Sequence, residues 1–202
     1  MTLKAMKTNK TFNVVKKIIG KRIPSNSTVQ TKAEDISSLI LHDHEIIKKL
    51  ILVLKDSKVG ITKKKSAYVQ FEEALSTHAK AEEESLYVHM KKLEALIVKS
   101  YEGDVEHAIA SQLMKEIDSL KNTNDDLWMS KVKVLAEITD HHVKEEEKEV
   151  LKDARKEFDL EERVEIGREY TKLISLLRGG QNEKNIQTTK IPKLARGRIS
   201  KR

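Results

Sequence analysis

The sequence predicts an all-α protein: an up-down-up-down four-helix bundle followed by an extra C-terminal helix, with basic flexible tails. Charged residues make up 35% of the 202 residues, and there are only 2 Pro and 7 Gly, a composition that favours helices. Apolar residues recur at helical spacing in four successive segments, which indicates amphipathic helices. The polar breaks between these segments are short, so consecutive helices are expected to run antiparallel. A chain of this length can form one hydrophobic core and does not require two domains.

The bounds of the four bundle helices follow from where the apolar periodicity starts and stops. Acidic residues at Glu34 and Asp35 suit the start of the first helix, because negative charge is favourable at a helix N-terminus. The first helix is predicted to begin at residue 34 and to end between residues 57 and 60, and the second is predicted to span residues 64–96. The third follows a polar break at residues 100–104 and ends near residues 122–124, and the fourth spans residues 125–158.

Each of these helices carries one apolar stripe that marks its buried face. Several His and Glu residues fall in the same stripes, so their side chains are also expected to face the core. The apolar members are Ile40, Ile47, Ile51 and Leu54 in the first helix, Phe71, Leu75, Leu86 and Leu93 in the second, Ala110, Met114 and Ile117 in the third, and Leu135, Ile138 and Val150 in the fourth.

A fifth helix is predicted over about residues 160–178, with Val164 and Tyr170 among its apolar positions. Gly179 and Gly180 supply its expected stop, and we expect it to pack outside the bundle. The predicted organisation is a basic, largely flexible N-terminal segment at 1–33, the four-helix bundle at 34–158, an accessory C-terminal helix at 159–180, and a basic flexible tail at 181–202.

The net charge of +7 conceals an uneven distribution of charge along the chain. Residues 1–33 carry +8 and residues 183–202 carry +6, so the residues between them carry −7. Basic tails can contact nucleic acid, anionic lipid or an acidic partner, and they can equally be solvated without a specific partner. Both interpretations stay open, and the part expected to fold is acidic.

The absence of Cys restricts the chemistry of any functional site. Disulfides, thiolate metal sites, iron–sulfur ligation and cysteine nucleophiles are excluded, so a metal must be held by His and carboxylate side chains. No apolar run approaches the roughly 20 residues needed to span a bilayer. The N-terminal residues lack the apolar stretch of a secretory signal, and we therefore expect a cytoplasmic protein without a membrane span.

Two His–Glu pairs with the same spacing stand out in the second and fourth helices. Glu82 follows His78 by four residues, and Glu146 follows His142 by four. Residues at this spacing lie on one face of a helix, about 5 to 6 Å apart. Each pair can therefore present an imidazole and a carboxylate to the same point, which is half of a metal site.

The apolar neighbours of these pairs indicate that both face inward. An ionised carboxylate buried without a partner costs several kcal/mol, and cations in the core would remove that cost. The first and third helices add one imidazole each, His44 and His107, and the set becomes four His and two Glu. Imidazole and carboxylate ligands without sulfur suit iron, and suit manganese or zinc less distinctively.

The other histidines have a simpler interpretation. A single His on an apolar helix face is usually a packed, hydrogen-bonded side chain, whereas four in register, two of them with Glu at i+4, favour a metal site. His42, His89 and His141 are not expected to be ligands of this site. His141 with Glu145 is the rival pair in the fourth helix, but its face is less apolar.

Four short motifs, in order on four helices, carry a resemblance to a known family. They are the DHE of residues 43–45, the H-x-x-x-E-E of 78–83, the Glu-His pair of 106–107, and the HVKEEE of 142–147. Over about residues 36–155 the sequence resembles the hemerythrin-like HHE cation-binding domains. The resemblance implies a hemerythrin-like four-helix bundle around a non-haem di-iron centre. It also implies binding of oxygen, or sensing of oxygen, iron or nitric oxide.

Carried over position by position, the resemblance implies ligands for two iron ions, with the two Glu as bridges. One position departs from the pattern: oxygen-carrying hemerythrins place a second His four residues before the first on the third helix, where this chain has Gly103. Glu106, Asp104, Glu83 or water could take that place, and the departure favours sensing or redox roles over simple oxygen carriage. The implied ligands are His44, His78, Glu82, His107, His142 and Glu146.

Three functional hypotheses follow from the sequence. We expect a di-iron protein that binds or senses oxygen, another small diatomic ligand or iron itself, and that is a binding or sensing protein rather than a turnover enzyme. The alternative on the same six residues is a di-iron enzyme or iron donor in peroxide or nitric oxide stress or in iron–sulfur cluster repair. A third is a structural or nucleic-acid-associated bundle that acts through its basic tails.

Overall fold

The computed structural model describes residues 32–120 and 125–188, with side chains to residue 179. The predicted N-terminal segment, apart from residues 32 and 33, and the tail beyond residue 188 lie outside this range. The described residues form helices and no strand, which confirms the all-α class. The α-helices are α1 Ile36–Lys55, α2 Ile61–Glu82, α3 Val88–Met90, α4 Ile97–Ser119, α5 Asp125–Glu145, α6 Leu151–Glu157 and α7 Leu160–Thr188, and two π-helical segments are π1 Glu83–Tyr87 and π2 Glu146–Val150.

Four rods form the bundle: α1, the continuous run α2–π1–α3, α4, and the continuous run α5–π2–α6. The rod α1 packs against α2 and α5, and α4 closes the bundle against α5 and α2. The connections at residues 56–60 and 91–96 are too short for anything but antiparallel neighbours. None of the helices within the described ranges has a stretch both long and apolar enough to cross a membrane.

The core consists of two apolar clusters along the bundle axis. On α1 they are separated by His44, which lies between Ile40 of one cluster and Ile47 of the other. The polar layer that carries the predicted site is therefore closed by apolar side chains on both sides. One cluster contains Ile47, Ile51, Phe71, Leu75, Ile117, Val132 and Leu135, and the other contains Ile36, Ile40, Leu86, Tyr87, Met90, Leu151 and Tyr170.

The helix α7 packs across α1, α2 and π1. Asp35 caps α1 by accepting a hydrogen bond from the Ser37 backbone N–H at 2.9 Å, and the Arg163 guanidinium donates to the same carboxylate at 2.9 Å. Gly167 allows a close approach, because a Cβ there would collide with the backbone carbonyl of Glu34. These contacts bury Tyr170 in one of the two apolar clusters, although α7 is not one of the four rods of the bundle.

Two predicted helix boundaries are wrong. The expected break at residues 100–104 is helical within α4, and the real break lies at residues 91–96. Ser100 and Gly103 are buried there, so these small residues serve close packing and not a turn. At the other end, α7 continues through Gly179 to Thr188. A helical Gly costs only about 1 kcal/mol relative to Ala, and no Pro follows before Pro192.

The two π-helical segments were not predicted, and both adjoin the His–Glu pairs. The segment π1 starts directly after Glu82, and π2 starts at Glu146. A π turn adds a residue to the local helical repeat, and such turns are frequent at functional sites. In π1 the wider turn leaves both Leu86 and Tyr87 buried.

Candidate metal centre

All six residues predicted as ligands converge in the polar layer between the two apolar clusters. His44 comes from α1, His107 from α4 and His142 from α5. None of the six is more than 5% exposed, so every one of these polar groups is removed from water. The remaining three are His78 and Glu82 of α2 and Glu146 at the start of π2.

The four imidazoles form two pairs whose Nε2 atoms face each other. The Nε2 atoms of His44 and His78 are 3.3 Å apart, and those of His107 and His142 are 3.1 Å apart. Ligands at right angles on a metal with bonds of about 2.0 to 2.1 Å to nitrogen are about 3 Å apart. Each pair therefore has the separation of two neighbouring ligands of one cation.

Each carboxylate contacts one imidazole of each pair. Glu82 Oε2 lies 3.5 Å from the Nε2 of His78 and 3.7 Å from that of His107. Glu146 Oε2 lies 3.2 Å from the Nε2 of His44 and 3.7 Å from that of His142. The arrangement gives two groups that could each hold a cation: His44, His78 and Glu146, and His107, His142 and Glu82.

The carboxylate oxygens provide the observation that tests the fit of a cation. Glu82 is 0% exposed and Glu146 is 1% exposed, and none of their four oxygens has a hydrogen-bond partner among the described residues. Buried carboxylates left this way would destabilise the fold by several kcal/mol. Cations bound between the imidazole pairs would supply the missing partners, so these residues fit a metal site.

Without a cation, the two buried carboxylates shift each other's pKa in opposite directions. Burial, reinforced by the negative charge of Glu146, raises the pKa of Glu82 well above its usual range. Burial also acts to raise the pKa of Glu146, but contacts with Glu82 and His44 outweigh it, and that pKa falls well below its usual range. The two carboxylates therefore resist being ionised together when no cation lies between them.

The imidazole of His78 is held neutral. Burial lowers its pKa well below the usual range, and the neighbouring His44 lowers it further. A neutral imidazole has one nitrogen with a free lone pair, which is the form that binds a metal. The Nε2 of His78 is thus available to a cation without prior loss of a proton.

The outer nitrogen of each imidazole contacts a further polar group, as is usual for metal-binding histidines. Three of these partners are carboxylates. Such contacts orient the ring and favour the tautomer that carries its hydrogen on Nδ1, which leaves Nε2 free. The Nδ1 contacts are His44 to Glu147 at 3.1 Å, His107 to Glu83 at 3.3 Å, and His142 to Glu106 at 2.6 Å.

The fourth partner is Tyr170, which sequence reasoning missed. Its hydroxyl lies 2.9 Å from His78 Nδ1 and donates a hydrogen bond to the Asp43 carboxylate at 2.6 Å. The sequence showed Tyr170 only as an apolar position of the fifth helix. The signal was weak because Asp43 and Tyr170 are brought together by the packing of α7, which no local pattern reveals.

None of the carboxylates expected to replace the missing ligand at Gly103 takes that place, and the space beside Gly103 is filled by Tyr87. Two of the carboxylates considered for that role, Glu106 and Glu83, contact imidazole Nδ1 atoms instead. The third, Asp104, forms an ion pair with Lys91. The Tyr87 hydroxyl lies against Gly103, and the ring stacks on that of His107 with centroids 5.7 Å apart and planes at 14°.

The remaining histidines lie at the surface. His42 and His141 are exposed, and His89 contacts Glu169 with 3.0 Å between Nε2 and Oε2. Of the two neighbouring histidines of α5, His142 faces the bundle core and His141 is exposed to solvent.

A cavity of about 560 Å³ connects the site to the surface between α4 and the α5–π2 rod. Its inner wall includes Tyr87, His142 and Glu146, and its outer part includes Glu106 and Glu145. The cavity therefore borders one side of the polar layer, although the carboxylate oxygens of Glu146 are themselves buried.

Comparison with known proteins gave one match. A family model described as the hemerythrin HHE cation binding domain matches residues 35–154. No curated protein and no solved structure matched the chain. The matched range includes all six residues of the polar layer but ends before α7.

Proposed function

The chain belongs to the family of hemerythrin HHE cation binding domains, and from that premise we propose that it is a non-haem di-iron protein that binds or senses oxygen or a related small diatomic molecule. The family supports cation binding as the general activity. The choice of iron, the number of two ions and the ligand are the proposal. A cytoplasmic location stays a prediction.

One observation carries the proposal: two imidazole pairs share two buried carboxylates that have no hydrogen-bond partner among the described residues. His44 and His78 would hold one iron, and His107 and His142 would hold the other. Glu82 and Glu146 would contribute carboxylate ligands to both, because each carboxylate lies near one imidazole of both pairs. The set of nitrogen and oxygen ligands without sulfur suits iron.

Residues around the proposed site control its contact with water, small ligands and protons. Ferrous iron held by these residues would supply the redox chemistry with oxygen or nitric oxide. The apolar clusters on either side exclude bulk water, and the cavity beside Glu146 admits a small ligand. Cation binding requires ionised carboxylates, so metal loading should release protons and become tighter as the pH rises.

The link from His78 through Tyr170 to Asp43 favours a sensing role. It connects a proposed ligand to both α1 and α7 by direct contacts of 2.9 and 2.6 Å. A change in the charge or position of the His78 ring therefore acts on the contact that holds α7 against the bundle.

The test is metal analysis combined with absorption spectroscopy. Anaerobic reconstitution with ferrous iron should give two irons per chain, and exposure to air should produce the bands of oxo-bridged ferric iron. The double variant Glu82→Gln/Glu146→Gln should lose both the iron and the bands. A wild-type protein that retains no iron after reducing reconstitution would contradict the proposal.

The open cavity favours a second candidate, a di-iron enzyme or iron donor that acts in peroxide or nitric oxide stress or in iron–sulfur cluster repair. Peroxide could reach Glu146 through the same opening. Turnover of peroxide or nitric oxide by iron-loaded protein, absent in His78→Ala, would favour the enzyme. Stable binding of oxygen or nitric oxide without turnover would favour the sensor.

A further inference from the structure

A second group of metal-binding side chains lies outside the polar layer. Glu106 of α4 and His141 and Glu145 of α5 place their donor atoms within 4.8 Å of one another. His141 Nε2 and Glu145 Oε2 are 3.3 Å apart, and both side chains are largely exposed, at 75% and 51%. His141 and Glu145 each directly precede a member of the inner pair, His142 and Glu146. Because each residue turns a helix by about 100°, one pair faces the core and the other faces the surface.

Glu106 links this outer group to the polar layer. Its Oε2 lies 2.6 Å from His142 Nδ1, and its side chain is 31% exposed. One carboxylate therefore contacts a proposed iron ligand and also belongs to the outer group.

Two of the three residues of the outer group lie in the wall of the cavity beside the polar layer, and His141 lies within 4.8 Å of them. Glu106 and Glu145 line this cavity together with Glu146, whose carboxylate is 1% exposed and has no hydrogen-bond partner among the described residues. This buried anion without a partner in the cavity wall favours the presence of a cation beside the cavity.

The charges along the cavity also favour a cation. Glu102 and Glu149 add two further carboxylates to its wall. Among its lining residues Lys99 is the basic one, and its ammonium group is already paired with Asp153 at 2.7 Å. A cleft lined by one sign of charge raises the local concentration of the opposite ion and its rate of arrival.

We propose that Glu106, His141 and Glu145 bind a divalent first-row transition-metal ion beside the cavity and form the entry site from which the inner centre is loaded. One imidazole and two carboxylates suit such ions. The exposed side chains leave the other coordination positions to water, so the ion is held weakly and can move on. The entry role rests on the proposed function, because the inner centre is the destination.

The test uses the full chain, an anaerobic titration with Co²⁺, and the double variant His141→Ala/Glu145→Gln. Wild-type protein should bind tight Co²⁺ in the inner centre and one additional, weaker Co²⁺. The double variant should lose the weak ion, keep the tight ions, and load them roughly tenfold more slowly at limiting Co²⁺. Equilibrium dialysis gives the stoichiometry, and stopped-flow absorption gives the loading rate.

The matched control is His89→Ala/Glu169→Gln. This pair is also a surface His–carboxylate contact, at 3.0 Å, but it does not line the cavity. The control should keep both the weak ion and the wild-type loading rate. Loss of the weak ion in the control as well would show nonspecific surface binding and overturn the inference.

Two further outcomes separate this inference from the proposed function. If the double variant keeps the weak ion and the wild-type loading rate, the entry site is wrong and the inner centre stands. If wild-type protein binds no tight metal, the proposed function and the entry role both fail, while the weak ion still reports whether the outer group binds a cation.

Discussion

The Tyr87 hydroxyl fills the space beside Gly103 that any side chain at that position would need. Tyr87 is 1% exposed and its ring stacks on His107, so it cannot move away easily. The absence of a second His on α4 is therefore matched by a bulky neighbour, and the two positions constrain each other.

Gly103→Ala should lower the free energy of unfolding by about 1 to 3 kcal/mol, because overpacking a filled core has that typical cost. The gain in helix propensity, about 1 kcal/mol, is too small to offset it. Gly179→Ala is the matched control, since nothing lies within 4 Å of a Cβ there, and it should stabilise or be neutral. Urea denaturation measures both, and a Gly103→Ala protein as stable as wild type would contradict the packing described here.

The metal-free protein should lose stability as the pH rises. The folded-state pKa of Glu82 lies well above its ordinary value of 4.5, mainly because of burial. The stability that this group contributes is therefore fully present below 4.5 and is lost as the pH rises through the folded-state pKa. Glu82→Gln stays neutral, so thermal melts in chelator should show a smaller loss at alkaline pH than in wild type. Equal losses in the two proteins would rule out Glu82 as the cause.

Tyr170→Phe should weaken metal binding without removing a proposed ligand. The variant lacks the hydroxyl that contacts His78 and donates to Asp43, and loss of such a partner typically reduces metal affinity by about 10- to 100-fold. Tyr101→Phe is the control, because that tyrosine is 54% exposed. Competition dialysis with a chelator gives the affinities. Unchanged affinity in Tyr170→Phe would mean that the contact does not orient His78.

A second pH effect should arise far from the metal centre, at Glu72. Burial, together with Asp118, raises the pKa of Glu72 to about 7. The associated stability is present below the ordinary value of 4.5 and is lost as the pH rises through about 7. Glu72→Gln should reduce this loss, whereas Glu73→Gln, at an exposed neighbouring position, should not. Denaturant titrations at acidic and neutral pH provide the comparison.

The six residues of the polar layer could be predicted because the information is local. His78 and Glu82 share a helix face by spacing alone, and the apolar residues in phase with them indicate that the face is buried. The same holds for His142 and Glu146. Once the helices assemble as a bundle, the His and Glu side chains on these buried faces meet in its core.

The features that sequence reasoning missed depend on contacts between distant segments or on irregular helix geometry. Tyr170 reaches His78 only because Gly167 lets α7 approach the backbone of Glu34. Tyr87 faces inward through a π turn, which a regular 3.6-residue period does not anticipate. Gly103 was interpreted as part of a turn because a small residue that permits close packing has the same appearance in a sequence.

The hydrogen bond between Tyr170 and Asp43 joins residues on opposite sides of the family boundary at residue 154. A fragment trimmed to the recognised domain would retain every proposed ligand yet deprive His78 of its outer neighbour and uncover the apolar surface beneath Ile166. A stable fragment of this protein is therefore expected to require α7, which contributes both to an apolar cluster and to the surroundings of the proposed metal ligand His78.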